Sequence, residues 1–295
     1  MCIRDSHVAG HPPATLLFFV GLVKIGLGGD FAAGMVVTVL AATTAVAVLV
    51  TLRALGAEEL ARRAAPFLVL TPAAVFMAVS ADALIGAVVA WGLACLALAT
   101  RRLWWAVPAG LLLGTSVLMS YGMPLMGLVA VAVLLAARSW RPLPVATAAA
   151  LAVVLGFAAM GFSWWDAYPV LKERYFDGIA SDRPQSYWWY ADLACLAISA
   201  GPLLVSGVLA AGQTALSTAR RTARPVLLLV GSAVVVVAAA DASGMSKAEV
   251  ERIWLPFVPW LTLSFALLPE QWRRWGLGLQ VLTALLVQHL FYTAW

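Results

Sequence analysis

The sequence predicts an all-α fold, a polytopic transmembrane helix bundle of about ten spans with juxtamembrane helices on the outer face. Three observations predict it. Of 295 residues, 63% are hydrophobic and only 11% are charged, with mean hydropathy +0.93, a composition outside the range of soluble domains. The apolar runs are continuous and rich in Ala, Leu and Val rather than alternating, which argues against a membrane barrel. The basic residues sit in short clusters between those runs, as the positive-inside rule requires. A net charge of +5 distributed in this way does not point to nucleic acid.

The elements follow in order. MCIRDS is polar and lacks the charged, apolar and small-residue regions of a signal peptide. Residues 1–10 read as a non-native leader resembling a translated adaptor, and 11–295 as one membrane domain whose native start is missing. His11-Pro12-Pro13 opens the apolar run 14–29, where two prolines suit a helix start. Lys24 lies inside that run, and an unpaired ammonium in lipid is costly. The run therefore reads as a juxtamembrane or half-inserted helix ahead of the alternative of a full span. Residues 31–52 make the first full span, and Arg53, Arg62 and Arg63 mark the cytoplasmic loop after it. Runs 66–79 and 83–100 form a pair turning at Ser80-Ala81-Asp82; Pro72 predicts a kink or oblique path in the first. Arg101-Arg102 bring the chain back. Runs 103–119 and 124–137 turn at Ser120-Tyr121-Gly122 and return to Arg138 and Arg141. Run 145–160 then leads outward, and 190–211, with Pro202 inside it, comes back to Arg220, Arg221 and Arg224. Run 225–240 goes out, 241–252 is a short polar segment, 253–268 comes in with Pro256 and Pro259 near its start, and 277–293 goes out past Arg273 and Arg274.

On this path twelve of the nineteen Lys and Arg fall inside, whereas eleven of the fourteen acids fall outside. Only the Lys/Arg bias carries orienting weight. Between 161 and 192 lies the longest polar interruption, with eight charged residues bracketed by Trp164-Trp165 and Trp188-Trp189. Trp164, Tyr168, Leu171 and Tyr175 fall on one helical stripe. Pro169 restricts the helix start to about Asp166. The segment reads as an outer-face cap lying on the bilayer, stripe down, with Asp166, Lys172 and Arg174 toward water. Cys2, Cys95 and Cys195 have no metal-binding spacing, and three histidines are too few for a histidine-rich site. No disulfide and no zinc site are expected.

Three further elements gather on the predicted outer side: His11-Pro12-Pro13; Ser80-Ala81-Asp82, in which Ser80 or Asp82 can cap the following helix; and Lys247 to Arg252, leading into Trp254-Leu255-Pro256-Phe257-Val258-Pro259. The last has a plain alternative as a solvated turn with a Lys247–Glu251 pair. The His-Pro-Pro opening, an acid at the outer start of a span (Asp82), and Arg252 followed by Pro256-x-x-Pro259 together resemble the GT-C superfamily of integral membrane glycosyltransferases, near the protein mannosyltransferase and aminoarabinose transferase type.

The resemblance implies a sugar donor on a polyprenyl phosphate, inverting transfer to an acceptor glycan, lipid or protein, and a bacterial cytoplasmic membrane with the active face outward. It implies that His11 and Arg252 contact the donor phosphate, and that Asp82 supports the site; Lys247 is a candidate phosphate contact from its location alone. Some relatives use a divalent metal ion. The family's catalytic acid precedes the His-Pro-Pro element, so the general base is expected upstream of this chain, with a missing first helix and first outer loop, and the chain as given is expected to be an inactive fragment. Two other readings stand beside it. A transporter or flippase for a lipid-linked precursor would place polar residues at mid-bilayer depth, and a non-catalytic membrane scaffold would tolerate changes at His11, Asp82 and Arg252.

Overall fold

The computed structural model describes residues 12–178 and 180–291, and every described element is helical. The leader and His11 lie outside the described residues. The first helix, α1 (Pro13–Lys24), begins on its prolines and stops before Gly26, whose φ of +81° ends the turn. Its 12 residues rise about 18 Å, well short of a hydrocarbon core of about 30 Å. The length thus agrees with a helix that does not cross, and Lys24 is exposed. The helix is pinned at its start: the Ala14 N–H donates to Leu118 O (2.9 Å) and the Thr15 hydroxyl to Met119 O (3.2 Å).

The chain continues through α2 (Asp30–Ala54), α3 (Glu58–Val69), α4 (Ala74–Met77) and α5 (Ala81–Ala99). After a 3-10 turn come α6 (Ala106–Val117), a second 3-10 turn and α7 (Gly127–Ala137), then α8 (Leu143–Ala159), α9 (Trp164–Asp177), α10 (Gln185–Ala200) and α11 (Leu204–Leu216). The last group is α12 (Arg220–Ser243), α13 (Val250–Ile253), α14 (Val258–Thr262) running into a 3-10 turn, and α15 (Glu270–Leu290).

Among the described residues three helices, α2, α5 and α12, are long and apolar enough to cross a membrane, or up to five spans exist if the bent pairs α8–α9 and α10–α11 each count as one. This is fewer than the ten expected, and the differences have local causes. The 66–79 run breaks at Thr71-Pro72 into an amphipathic α3 and a single turn, α4. The 190–211 run bends by 92°, because Pro202 disfavours a helical residue before it and Gly201 takes φ +90°. The 253–268 run is not one helix but two short ones around Pro256 and Pro259. Its apolar character serves protein burial rather than lipid contact: Trp254, Trp260 and Phe265 are among the most buried side chains. The α8–α9 pair bends by 74°. There α9 starts at Trp164, two residues before the predicted start, so Pro169 sits in its second turn.

The core is centred on α5, buried along most of its length. Tight packing elsewhere depends on small residues. Gly110 and Gly114, four apart on α6, face α8 so closely that an added Cβ would stand 2.1 Å from Ala146 O and 2.7 Å from Ala150 O respectively. That is the small-xxx-small spacing by which membrane helices bring their backbones together.

The arginine-bearing turns gather at one end. Arg101 donates to Arg53 O (3.3 Å) and Arg224 to Leu135 O (3.0 Å). The opposite end collects the starts of α2 and α5, where the Val79 N–H donates to Thr38 Oγ1 (3.1 Å), together with the polar segments around α9 and α13.

Candidate functional site

At that second end, four separate stretches of chain meet. Ser80 is the residue before α5, but its hydroxyl makes no cap; it is buried without a partner. Asp82 stands in the first turn of α5. Its carboxylate pairs with Arg252, Oδ2 to Nη1 at 3.3 Å, across 170 residues of sequence. Arg252 also holds Glu249 Oε2 at 2.8 Å. The guanidinium thus bridges two carboxylates from different elements while remaining 28% exposed. The structure therefore brings together Asp82 and Arg252, two residues expected only to share a side.

Lys247 is placed differently from the expectation. It forms no i,i+4 pair with Glu251, because residues 247–249 are not helical. Its ammonium is buried and donates to Arg183 O (2.9 Å) and Ala180 O (3.4 Å), with the Phe176 ring 5.5 Å away. Arg183 in turn donates to Lys247 O. The two cations clasp each other's backbone, tying the 178–184 turn to the 245–249 turn. We expect Lys247→Met to leave two carbonyls unsatisfied and to cost about 2 kcal/mol. Hydrogen exchange across 178–184 should accelerate relative to the parent, and unchanged exchange would show that the clasp does not hold the turn.

The 245–249 turn is unusual in its backbone. Ala248 and Glu249 both have positive φ, 69° and 59°, a conformation costing about 1–2 kcal/mol per residue that carries a Cβ. Three contacts hold it there. The Lys247 N–H donates to the Tyr175 hydroxyl (2.9 Å), the Ala248 N–H to Asp192 Oδ1 (3.1 Å), and Trp254 Nε1 to Ser246 Oγ (3.2 Å). Strain held in this way, beside a charged cluster, is common at functional sites. Next to it, burial pushes the Glu251 carboxyl above its ordinary range and Glu249 pushes it further, while its own backbone hydrogen bond and Arg252 oppose the rise.

The aromatic stripe of α9 faces protein rather than lipid. Trp164 and Tyr168 stack at 5.3 Å, Tyr121 leans on both at 5.6 Å, and Tyr175 reaches Lys247. The other face, with Trp165 and Val170, is exposed. Asp166, Lys172 and Arg174 are exposed, and among the described residues no hydrogen bond or ion pair links Asp166 or Lys172 to the Arg252 cluster.

A cavity of about 220 Å³ lies beside the stretch that follows Arg252, walled mainly by α2, α3, α4 and the 255–262 stretch. Leu255, one turn beyond Arg252, lines it together with Ala45, Met77, Val258 and Pro259. Its lining is largely apolar, with four threonines; the Thr44 hydroxyl is buried and unpartnered. The charged cluster and the apolar cavity are thus linked through Leu255, one turn after Arg252, while Asp82, Glu249 and Arg252 do not themselves line the cavity.

Sequence reasoning missed Glu249, Asp192 and Arg183 as members of the site. Each was visible as a charge within a polar segment, but only the fold shows which charges converge. Among the described residues no group of three His, Cys, Asp or Glu side chains is arranged to hold a metal ion, so no step is assigned to a divalent ion. No protein-family model, curated protein or solved structure matches this chain.

Proposed function

We propose that this chain belongs to a membrane glycosyltransferase that takes a sugar from a polyprenyl-phosphate donor and passes it to an acceptor on the outer face of a bacterial cytoplasmic membrane. The observation that supports the proposal is the Asp82–Arg252 pair, one turn from Leu255 in the wall of the apolar cavity. A lipid-linked sugar has the same two halves, an apolar chain and a charged head. The cavity lining suits the prenyl segment nearest the phosphate. Arg252 suits the phosphate itself, whose charge grows as the sugar leaves and is offset by a fixed cation. Asp82 and Glu249 hold the guanidinium in place through charge-assisted hydrogen bonds. His11 is proposed as a second phosphate contact; its neighbours in α1 pack at the 118–119 turn, where the chain leaves α6.

In this proposal the arginine-bearing end is cytoplasmic. The shorter apolar helices Leu103–Val117 and Met123–Ala137 also cross within the bundle, covered by longer neighbours.

The test uses membranes from cells that express the native gene, given radiolabelled polyprenyl-phosphate sugars. Label moving to an acceptor in a form dependent on that gene is the expected result. Movement of intact donor across vesicles without sugar release would replace the proposal with the flippase reading.

A further inference from the structure

We propose that the arginine-bearing end contains a second site, one that binds a phosphate group, presented by an anionic phospholipid headgroup or as free phosphate. The site is a groove of about 660 Å³ between the start of α3, the end of α7 and the start of α12. Arg63, Arg138, Arg221 and Arg224 line it, against Glu58 and Glu59. The two glutamates are already engaged within α3, Glu58 with Arg62 at 2.9 Å and Glu59 with Arg63 at 3.0 Å. Among the described residues, no carboxylate pairs with Arg138, Arg221 or Arg224. Three guanidinium groups from two elements therefore share one concavity without a paired carboxylate, in a groove whose four arginines outnumber its two glutamates, and concave walls focus their field.

Two details make this more than a solvated basic surface. Arg138 occupies the left-handed position after α7, with φ 53°. Glycine is the usual residue there and an L side chain is strained, yet this strained position carries a guanidinium that lines the groove. In addition, α12 begins at the groove without a side-chain cap, so the partial positive charge of its N-terminus is open to an anion. Arginine forks match phosphate oxygens in pairs. The inference is independent of sugar transfer, which concerns the opposite end.

The full chain, purified in detergent, would be titrated with phosphatidylglycerol and with phosphatidylcholine, and bound lipid counted by native mass spectrometry. Inorganic phosphate would be titrated separately by calorimetry. The groove triple variant Arg138→Gln, Arg221→Gln, Arg224→Gln is compared with a charge-matched control, Arg102→Gln, Arg141→Gln, Arg220→Gln, whose residues do not line the groove. We expect phosphatidylglycerol to bind in preference to phosphatidylcholine, and the groove variant to weaken it at least on the order of tenfold, with a much smaller change in the control. Saturable binding of inorganic phosphate, lost in the groove variant, would support the site with free phosphate as its occupant. Arg138→Gly supplies a second check: it removes one guanidinium and relieves the strain, so anion binding should fall while the melting temperature holds or rises. Absence of binding by either anion, or equal losses in the groove and control variants, would overturn the proposal.

Discussion

Replacing Gly110 by valine is expected to destabilise the fold by about 3 kcal/mol or to prevent folding, the steepest loss we expect from a single substitution. Even the first carbon of the new side chain would stand 2.1 Å from Ala146 O and 2.7 Å from the Ala149 Cβ. The first obstacle is backbone, which no rotamer change can move aside. α6 and α8 would have to separate, and Gly114 would lose its own approach to Ala150. Gly156→Val on α8 is the matched control, since nothing lies within 4 Å of a Cβ there. Melting both variants in the same detergent measures the difference. Equal melting temperatures would mean that the glycine pair does not set the helix spacing.

Arg252→Gln is expected to lower sugar-transfer kcat/KM in the parent protein by about two to three orders of magnitude, the usual cost of removing one preorganised group that meets developing charge. The loss should fall mainly on kcat, because the phosphate gains charge as the bond breaks. Stability should change little: the guanidinium is 28% exposed and its partners 21% and 38%, and partly exposed pairs contribute at most about 1 kcal/mol. Arg252→Lys should recover only part of the activity, because an ammonium keeps the charge but loses the fork that spans Asp82 and Glu249. A loss of less than threefold with Arg252→Gln, in protein that melts normally, would detach Arg252 from the phosphate.

Part of this arrangement was legible in the sequence. The clusters at 53–63, 101–102, 138–141 and 220–224 read correctly as belonging to one end, because charge cannot be left in lipid. Asp82 and Arg252 read as sharing the other end, and the fold turned that into a contact. The number of spans was not legible. Hydropathy measures avoidance of water, and the 253–268 run satisfies that by burying Trp254 and Trp260 among other helices. The bend at Gly201-Pro202 was visible as a dipeptide but not as an angle, since the direction of a break depends on what packs against it. Gln280, fully buried on α15, donates to Ala200 O at 2.9 Å beside that break, and no local pattern announced it. The spacing of Gly110 and Gly114 was readable and was passed over as part of an ordinary apolar run. Lys247 misled because a lone cation among polar residues suggests solvent, whereas its partners are carbonyls that only the folded chain supplies.

The clasp between Arg183 and Lys247 has a consequence for how the protein is made. Its halves lie 64 residues apart, with α10, α11 and α12 emerging between them. The Asp82–Arg252 contact must wait longer still. A ribosome that has delivered everything as far as Ser243 has produced the candidate spans, four of the arginine turns and Asp82, but neither Glu249 nor Arg252. The charged cluster is thus completed late in synthesis, after much of the scaffold around it has been made. A chain released early would insert and still lack the arginine that the proposed chemistry needs.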